Sequence, residues 1–160
     1  MEKIVYKPIG IIRTPFTKLE DMPIQPVGGQ GIRGEVKVHP EFSGGLKDLD
    51  GFSHIVLLYH FHLSSGYSLE VKPFLDDTLR GVFATRAPAR PNPIGLSVVR
   101  LVEVQGNVLV VEDVDIADET PLLDIKPFVP RFDNRDSERI GWLADKAKSA
   151  GTVKSDRRFV

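Results

Sequence analysis

The segment Arg86-Ala87-Pro88-Ala89-Arg90-Pro91-Asn92-Pro93-Ile94-Gly95-Leu96-Ser97 carries the most distinctive chemistry in the sequence. Pro88, Pro91 and Pro93 each fix φ and bias the preceding residue toward extended backbone. A stretch stiffened in this way is ordered before a ligand arrives, so binding need not supply that entropy. Guanidinium groups pair bidentately with carboxylate or phosphate. Arg86 and Arg90 therefore favour an anion-recognising site over a plain rigid loop.

An acidic cluster lies further along, at Asp113, Asp115, Asp118 and Glu119. Period-two spacing puts Asp113 and Asp115 on one face, at the end of a strand that enters a turn at Pro121. Carboxylates buried there could bind a cation, accept a proton or hold ribose hydroxyls. Aspartate is also common in turns, where it bonds its own backbone. Both readings stand on the residues alone.

His54, His60 and His62 share one face of a regular strand. A metal site needs three or four converging ligands. His54 would lie roughly 20 Å from His60 along an extended chain, and no carboxylate completes the set. A pocket or core histidine is the better reading at each position, and no metal is expected. Gly29-Gln30-Gly31-Ile32-Arg33-Gly34 matches G-x-G-x-x-G, but a dinucleotide site needs a strand before it and a helix after it. Here Pro23-Ile24-Gln25-Pro26 precedes it and Glu35-Val36-Lys37-Val38 alternates like a strand. A glycine loop that lets backbone amides approach a ligand fits better. No P-loop, no HExxH and no readable Ser–His–Asp order is present.

The elements that must position these residues are mostly short strands. Period-two patterns run over 3–13 (interrupted by Pro8), 32–39, 53–62, 81–86, 96–104 and 108–116. The 53–62 run is apolar at nearly every position and reads as buried on both faces. Gln105-Gly106-Asn107 is a hairpin signal between the last two runs. One helix is expected over 137–149, capped by Asp136 or Ser137, with Ile140, Leu143, Ala144 and Ala147 at helical spacing. A short helix or turn is expected within 40–49. Many short strands with few helices imply a mainly β fold, a small β-barrel with a peripheral C-terminal helix.

The chain has 160 residues, 41% hydrophobic and 27% charged, which fits one folded domain with its own core. The absence of cysteine excludes disulfides, thiolate metal sites and cysteine nucleophiles. Lys plus Arg number 21 against 22 Asp plus Glu, so overall charge gives no support for nucleic-acid binding. No run approaches the roughly 18 apolar residues of a spanning helix, and no signal peptide is evident. A cytoplasmic protein without membrane attachment is expected.

Several blocks, in a fixed order, resemble the TrmO family, also called TsaA-like or YaeB-like. They begin with Ile9-Gly10-Ile11-Ile12-Arg13-Thr14-Pro15, Pro23-Ile24-Gln25-Pro26 and Gly51-Phe52-Ser53-His54. They continue with Gly81-Val82-Phe83-Ala84-Thr85-Arg86 and Arg90-Pro91-Asn92-Pro93-Ile94-Gly95-Leu96-Ser97. Asp115-Ile116-Ala117-Asp118-Glu119-Thr120-Pro121 and Asp124-Ile125-Lys126-Pro127 close the match, which spans about residues 9–130. The resemblance implies a β-barrel that binds S-adenosyl-L-methionine (SAM), acts on tRNA and works as a homodimer. It implies N6-methylation of N6-threonylcarbamoyladenosine beside the anticodon. Residues 1–135 would form the TsaA-like barrel domain, with 136–160 a helix and tail packed on it.

By the same resemblance the cofactor site comprises Pro26, Val27, Gly28, His62, Leu63, Arg86, Leu96, Asp115, Ile116, Ala117 and Asp118. Arg86 would meet the methionine carboxylate, and Asp115 or Asp118 would hold ribose hydroxyls or take the proton from N6. The family's usual glycine after the aspartate is Glu119 here. Members with a further C-terminal region use it to hold tRNA; here Arg90, Lys126, Arg131, Arg135 and Arg139 are the expected substitutes. Two rivals remain: a non-catalytic SAM- or RNA-binding module that needs a partner, and a metal hydrolase built on His60, His62 and the acidic cluster.

Overall fold

The structure is a computed structural model that describes residues 1–23, 26–74, 76–144 and 146. Among the described residues eight strands form: β1 (Gly10–Arg13), β2 (Arg33–Val38), β3 (His54–His60), β4 (Glu70–Val71), β5 (Arg80–Gly81), β6 (Ile94–Gln105), β7 (Val108–Glu112) and β8 (Thr120–Pro127). Six of them close into a barrel in the order β1-β2-β7-β6-β3-β8, and β4 pairs with β5 apart from it. Every pairing is antiparallel. Closure removes the open edges that a flat sheet of this size would expose. The expected mainly β barrel is present.

Alternation fixes which side chains enter the barrel. In β2, Gly34, Val36 and Val38 are buried and the residues between them are exposed. Ile12 lies opposite Val36, and Val36 opposite Leu109, so one layer of branched side chains crosses three strands. Ile55, Leu57, Val99, Val111, Val114, Ile116 and Leu122 complete the core. The β6–β7 hairpin turns at Gly106, whose φ of +61° suits glycine, as the Gln-Gly-Asn signal implied.

Several expected elements differ. The first strand begins at Gly10 rather than Lys3, because β2 and β8 pair with it only from there. Ile4, Val5 and Tyr6 are exposed. β3 is buried on one face only: Ile55, Leu57 and Tyr59 point inward, while Val56 and Leu58 are half-buried on the outside. Over 81–86 only Gly81 is in a strand, and a 3-10 turn comes next at Val82–Ala84. The 40–49 segment does form a 3-10 turn, at Pro40–Leu46.

The expected helix does not start at Ser137. Residues 134–140 are irregular, and a single 3-10 turn forms at Gly141–Leu143. Gly141 has φ +60°, which breaks helical hydrogen bonding at that point. Residues 145 and 147–149 of that expectation lie outside the described residues. The one α-helix among the described residues, α1 (Pro130–Asp133), is a single turn. Among the described residues no helix is long and apolar enough to cross a membrane.

Gly95 shows how β6 accommodates the site. A Cβ there would stand 2.2 Å from the ring of Tyr59 on the facing strand. Glycine leaves space for the aromatic ring, and that brings the Tyr59 hydroxyl to Ser97.

Candidate functional site

Asp115 is the centre of one polar cluster. Ser97, buried on the inner face of β6, donates from Oγ to Asp115 Oδ1 at 2.6 Å. The Tyr59 hydroxyl lies 2.9 Å from the same Oγ. A serine has one hydroxyl hydrogen. With that hydrogen committed to Asp115, Tyr59 is the donor, and the chain runs Tyr59 to Ser97 to Asp115. Burial pushes the Asp115 carboxyl up to about 6, against the opposing pull of Ser97, its own backbone N–H and the Arg86 charge. Burial, and then the charge of Asp115, also raise Tyr59. Arg86 is exposed, and its positive charge acts on both groups in the lowering direction.

A second set of bonds fixes the backbone after Asp115. Thr14 Oγ1 donates to the Ile116 carbonyl at 2.7 Å. Asp118 Oδ1 accepts the Thr14 N–H at 2.9 Å and pairs with Arg13 Nε at 3.1 Å. Asp118 N–H donates to the Phe16 carbonyl at 3.0 Å. Buried Thr120 donates to the Ala117 carbonyl at 2.7 Å, and His62 Nδ1 lies 3.4 Å from the same hydroxyl. Thr120's hydrogen is committed to Ala117, which leaves His62 as donor in that longer contact. His62 is lowered by burial first and by His60 second, against the charges of Glu119 and Asp118.

The glycine loop packs on the other side of this segment. Gly29 ends the Pro26–Gly29 turn, and a Cβ on it would lie 2.1 Å from the Val114 carbonyl oxygen. Glycine is thus the residue this approach permits. Gly31 N–H donates to Asp113 Oδ1 at 2.7 Å. The loop leads into β2 and not into a helix, so the dinucleotide reading has no structural basis. The side chains of Pro26 and Val27, and residues 24 and 25, lie outside the described residues.

Sequence spacing misplaced part of the acidic cluster. β7 ends at Glu112, and Pro121 is the second residue of β8 rather than a turn. Asp113 and Glu119 both adopt left-handed backbone, at φ +67° and +63°. Asp113 therefore turns to Gly31 while Asp115 turns to Ser97, and the two do not share a face. The family's usual glycine would adopt the Glu119 conformation freely; a non-glycine residue there costs about 1–2 kcal/mol. Glu119 meets Arg13 Nη1 at 3.0 Å, an exposed pair that offsets little of this.

Of the expected site residues, Arg86 acts on Asp115 through its charge. Thr120 links His62 to the Ala117 carbonyl, the Asp118 charge acts on His62, and Gly29, next in the chain after Gly28, rests against Val114. Ile116 is buried, its carbonyl held by Thr14. Leu63 is exposed. Leu96 lies on the outer face of β6 opposite Leu58, facing away from Ser97 and Asp115. Arg90 braces its own loop, donating from Nη1 to the carbonyls of Thr85 and Ala87 at 3.1 and 3.2 Å. His54 bonds Ser53 and meets Phe128 edge-on, well away from His62. Among the described residues no three His, Asp or Glu side chains converge on a metal-sized site. Sequence reasoning missed Tyr59, Thr14 and Thr120, and it read Ser97 only as the end of a motif. Their roles come from cross-strand register, which periodicity does not reveal.

A family model described as the tRNA-methyltransferase O N-terminal domain matches residues 11–134. The chain is 56% identical over 156 residues to a protein of Pyrococcus abyssi named "Probable S-adenosyl-L-methionine-binding protein", covering 98% of this chain and 85% of that one. It is 34% identical over 140 residues to the human tRNA (adenine(37)-N6)-methyltransferase, covering 82% of this chain and 31% of the human protein. The crystal structure of TrmO from Pseudomonas aeruginosa superposes with a TM-score of 0.74 at 38% identity. That match covers 88% of this chain and 63% of the other, so the chain spans less than two thirds of that structure's length.

The Asp115 environment makes stability depend on pH. Its carboxyl is raised from an ordinary 3.8 to about 6, so the fold holds this proton more tightly than the unfolded chain does. Stability from this group is greatest below its unfolded value and is lost as pH rises through that interval. Denaturant unfolding of Asp115→Asn should show a shallower fall in stability from pH 4 to 6 than the wild type. Parallel curves would show that the buried carboxyl contributes nothing to the fold's proton balance.

Proposed function

This chain belongs to the TrmO family, and from that premise we propose that it is a SAM-dependent tRNA methyltransferase acting on N6 of N6-threonylcarbamoyladenosine next to the anticodon. The observation that carries the reading is the half-buried Asp115 carboxyl, bonded by Ser97 and flanked by Arg86. The donor set suits SAM. A carboxylate and backbone carbonyls complement a sulfonium cation, and Arg86 complements a carboxylate. Gly28, His62, Leu63, Arg86, Ile116 and Ala117 would hold the cofactor, with Pro26 and Val27 contributing from the same turn. Bound there, SAM supplies an electrophilic methyl group.

N6-methylation would form one N–C bond, break the S–CH3 bond of the sulfonium so that a neutral thioether leaves, and release one proton from N6. Asp115 is the better acceptor of the two aspartates. Its carboxyl, poised near 6, is matched to proton transfer at neutral pH. Asp118 is a latch, since Oδ1 is already held by Thr14 and Arg13. The role of Arg86 is to fix orientation, which supplies much of the rate in an in-line displacement. Arg131, Arg135, Arg139 and Lys126 remain candidates for contact with tRNA phosphates, although Lys126 also pairs with Asp124 at 2.8 Å. The reading places the protein with tRNA in the cytoplasm.

A homodimer is part of the proposal. Ile94 and Leu96 are exposed on the outer face of β6, beside half-buried Leu58 and Val98. A second copy covering this strip would bury Leu96, which otherwise lies off the site. Leu96→Glu should then convert a sedimenting dimer to a monomer. An unchanged sedimentation coefficient would remove this face from the interface.

Nucleoside mass spectrometry tests the activity. The protein is incubated with SAM and tRNA that carries threonylcarbamoyladenosine, beside Arg86→Ala. The expected result is a gain of one methyl on that nucleoside, lost in the variant. Arg86→Ala should also lower SAM affinity by at least about 1.5 kcal/mol, the value of a charge-assisted hydrogen bond. SAM binding without methyl gain would favour the second reading, a SAM-binding module. The name of the Pyrococcus relative supports that rival, because it states binding and no transfer.

A further inference from the structure

From Phe61 to Pro93 the chain leaves the barrel between β3 and β6, carrying His62, Leu63 and Arg86 with it. Among the described residues, this excursion has one small buried apolar cluster of its own. Val71, Val82 and Ala87 form a cluster separate from the barrel core, while Tyr67, Leu69, Leu79 and Phe83 are exposed. Polar contacts, two of them from outside the segment, tie it down.

The hub of those contacts is Asp76, which is 8% exposed. Its Oδ2 accepts from Arg80 Nε at 2.7 Å, and its Oδ1 accepts the Asp77 N–H at 2.8 Å. Lys146 Nζ also pairs with Oδ1. The Lys146 bond, with Arg80 and the amides of Asp77 and Thr78, holds the carboxyl far below the usual range despite its burial. The Arg80 guanidinium lies over the Trp142 ring, 5.6 Å from its centroid. Trp142 Nε1–H donates to the Ala84 carbonyl at 2.8 Å, two residues before Arg86. Two side chains from the C-terminal part of the chain thus grip the excursion, one at Asp76 and one at the 3-10 turn that leads into Arg86.

We propose that Trp142 and Lys146 are positioning residues for Arg86, and that together they form a clasp holding the Arg86 loop in its ligand-binding form. The inference rests on the reading of Arg86 as a SAM contact. With the clasp closed, the loop is ordered before ligand arrives; with it open, binding must supply that order. None of these contacts reaches the barrel core, so opening the clasp leaves the barrel intact.

Two variants of the full chain test this. Trp142→Phe keeps an aromatic side chain and removes the indole N–H donor, and Lys146→Met removes the cation on Asp76. SAM affinity by calorimetry should fall about three- to ten-fold in each, the net worth of one hydrogen bond. Hydrogen exchange at 82–86 should accelerate while exchange in β2, β3 and β7 stays unchanged. Wild-type affinity in both variants would overturn the proposal, as would faster exchange throughout the barrel. If the wild type itself binds no SAM, the cofactor reading fails and exchange alone decides. Faster exchange confined to 82–86 would then uphold the clasp, and unchanged exchange there would overturn it.

Discussion

The connection from Asp113 to Glu119 must cross the barrel's end with its polar groups satisfied, and the rest of the site depends on how that is done. It runs between β7 and β8 without strand pairing, yet Val114 and Ile116 are fully buried beneath it. Buried backbone groups without partners are costly. Thr14, Phe16, Thr120 and Ile32 supply those partners from three other parts of the chain. Asp113 and Asp118 anchor the two ends through Gly31 and Thr14. Asp115 is left between the anchors with its carboxylate turned to Ser97. The same contacts bring the glycine loop, the end of β3 and the β6 motif to one place.

Ordinary β-sheet physics builds that convergence. Tyr59 and Ser97 project inward by strand alternation, and the β3–β6 register brings their hydroxyls together. Gly95 leaves room for the ring, and Gly29 lets the loop backbone rest on Val114. Of the G-x-G-x-x-G glycines, Gly29 and Gly34 are explained by close packing of chain on chain, and Gly31 by its left-handed φ of +78°. The proline-rich motif serves the same end: Arg90 is turned back on its own carbonyls, and Arg86 is the arginine that stays exposed.

The barrel was legible because period-two alternation is a local signal, and β2, β3 and the β6–β7 hairpin display it strongly. β8 was obscured by Pro121 and Pro127. Both are tolerated there because Pro121 sits one residue inside the strand's start and Pro127 ends it. Over its described residues the expected C-terminal helix is interrupted at Gly141, whose left-handed backbone overrides the spacing of Ile140, Leu143 and Ala144. Arg86, Asp115 and His62 were readable as unusual residues. Their grouping, and the separation of Asp113 and Leu96 from it, required the register and the left-handed turns. Trp142 reads as one aromatic in a polar stretch until its bond to Ala84 is seen.

The central claim is that four separate stretches of chain form one SAM site around Asp115. Titration of SAM into uniformly nitrogen-15-labelled protein, followed by amide chemical shifts, tests it most directly. The account predicts saturable shifts that share one dissociation constant at Gly28–Gly31, His62–Leu63, Thr85–Arg86 and Val114–Asp118. Shifts confined to the outer faces of β2 and β7, or none at saturating SAM, would contradict it.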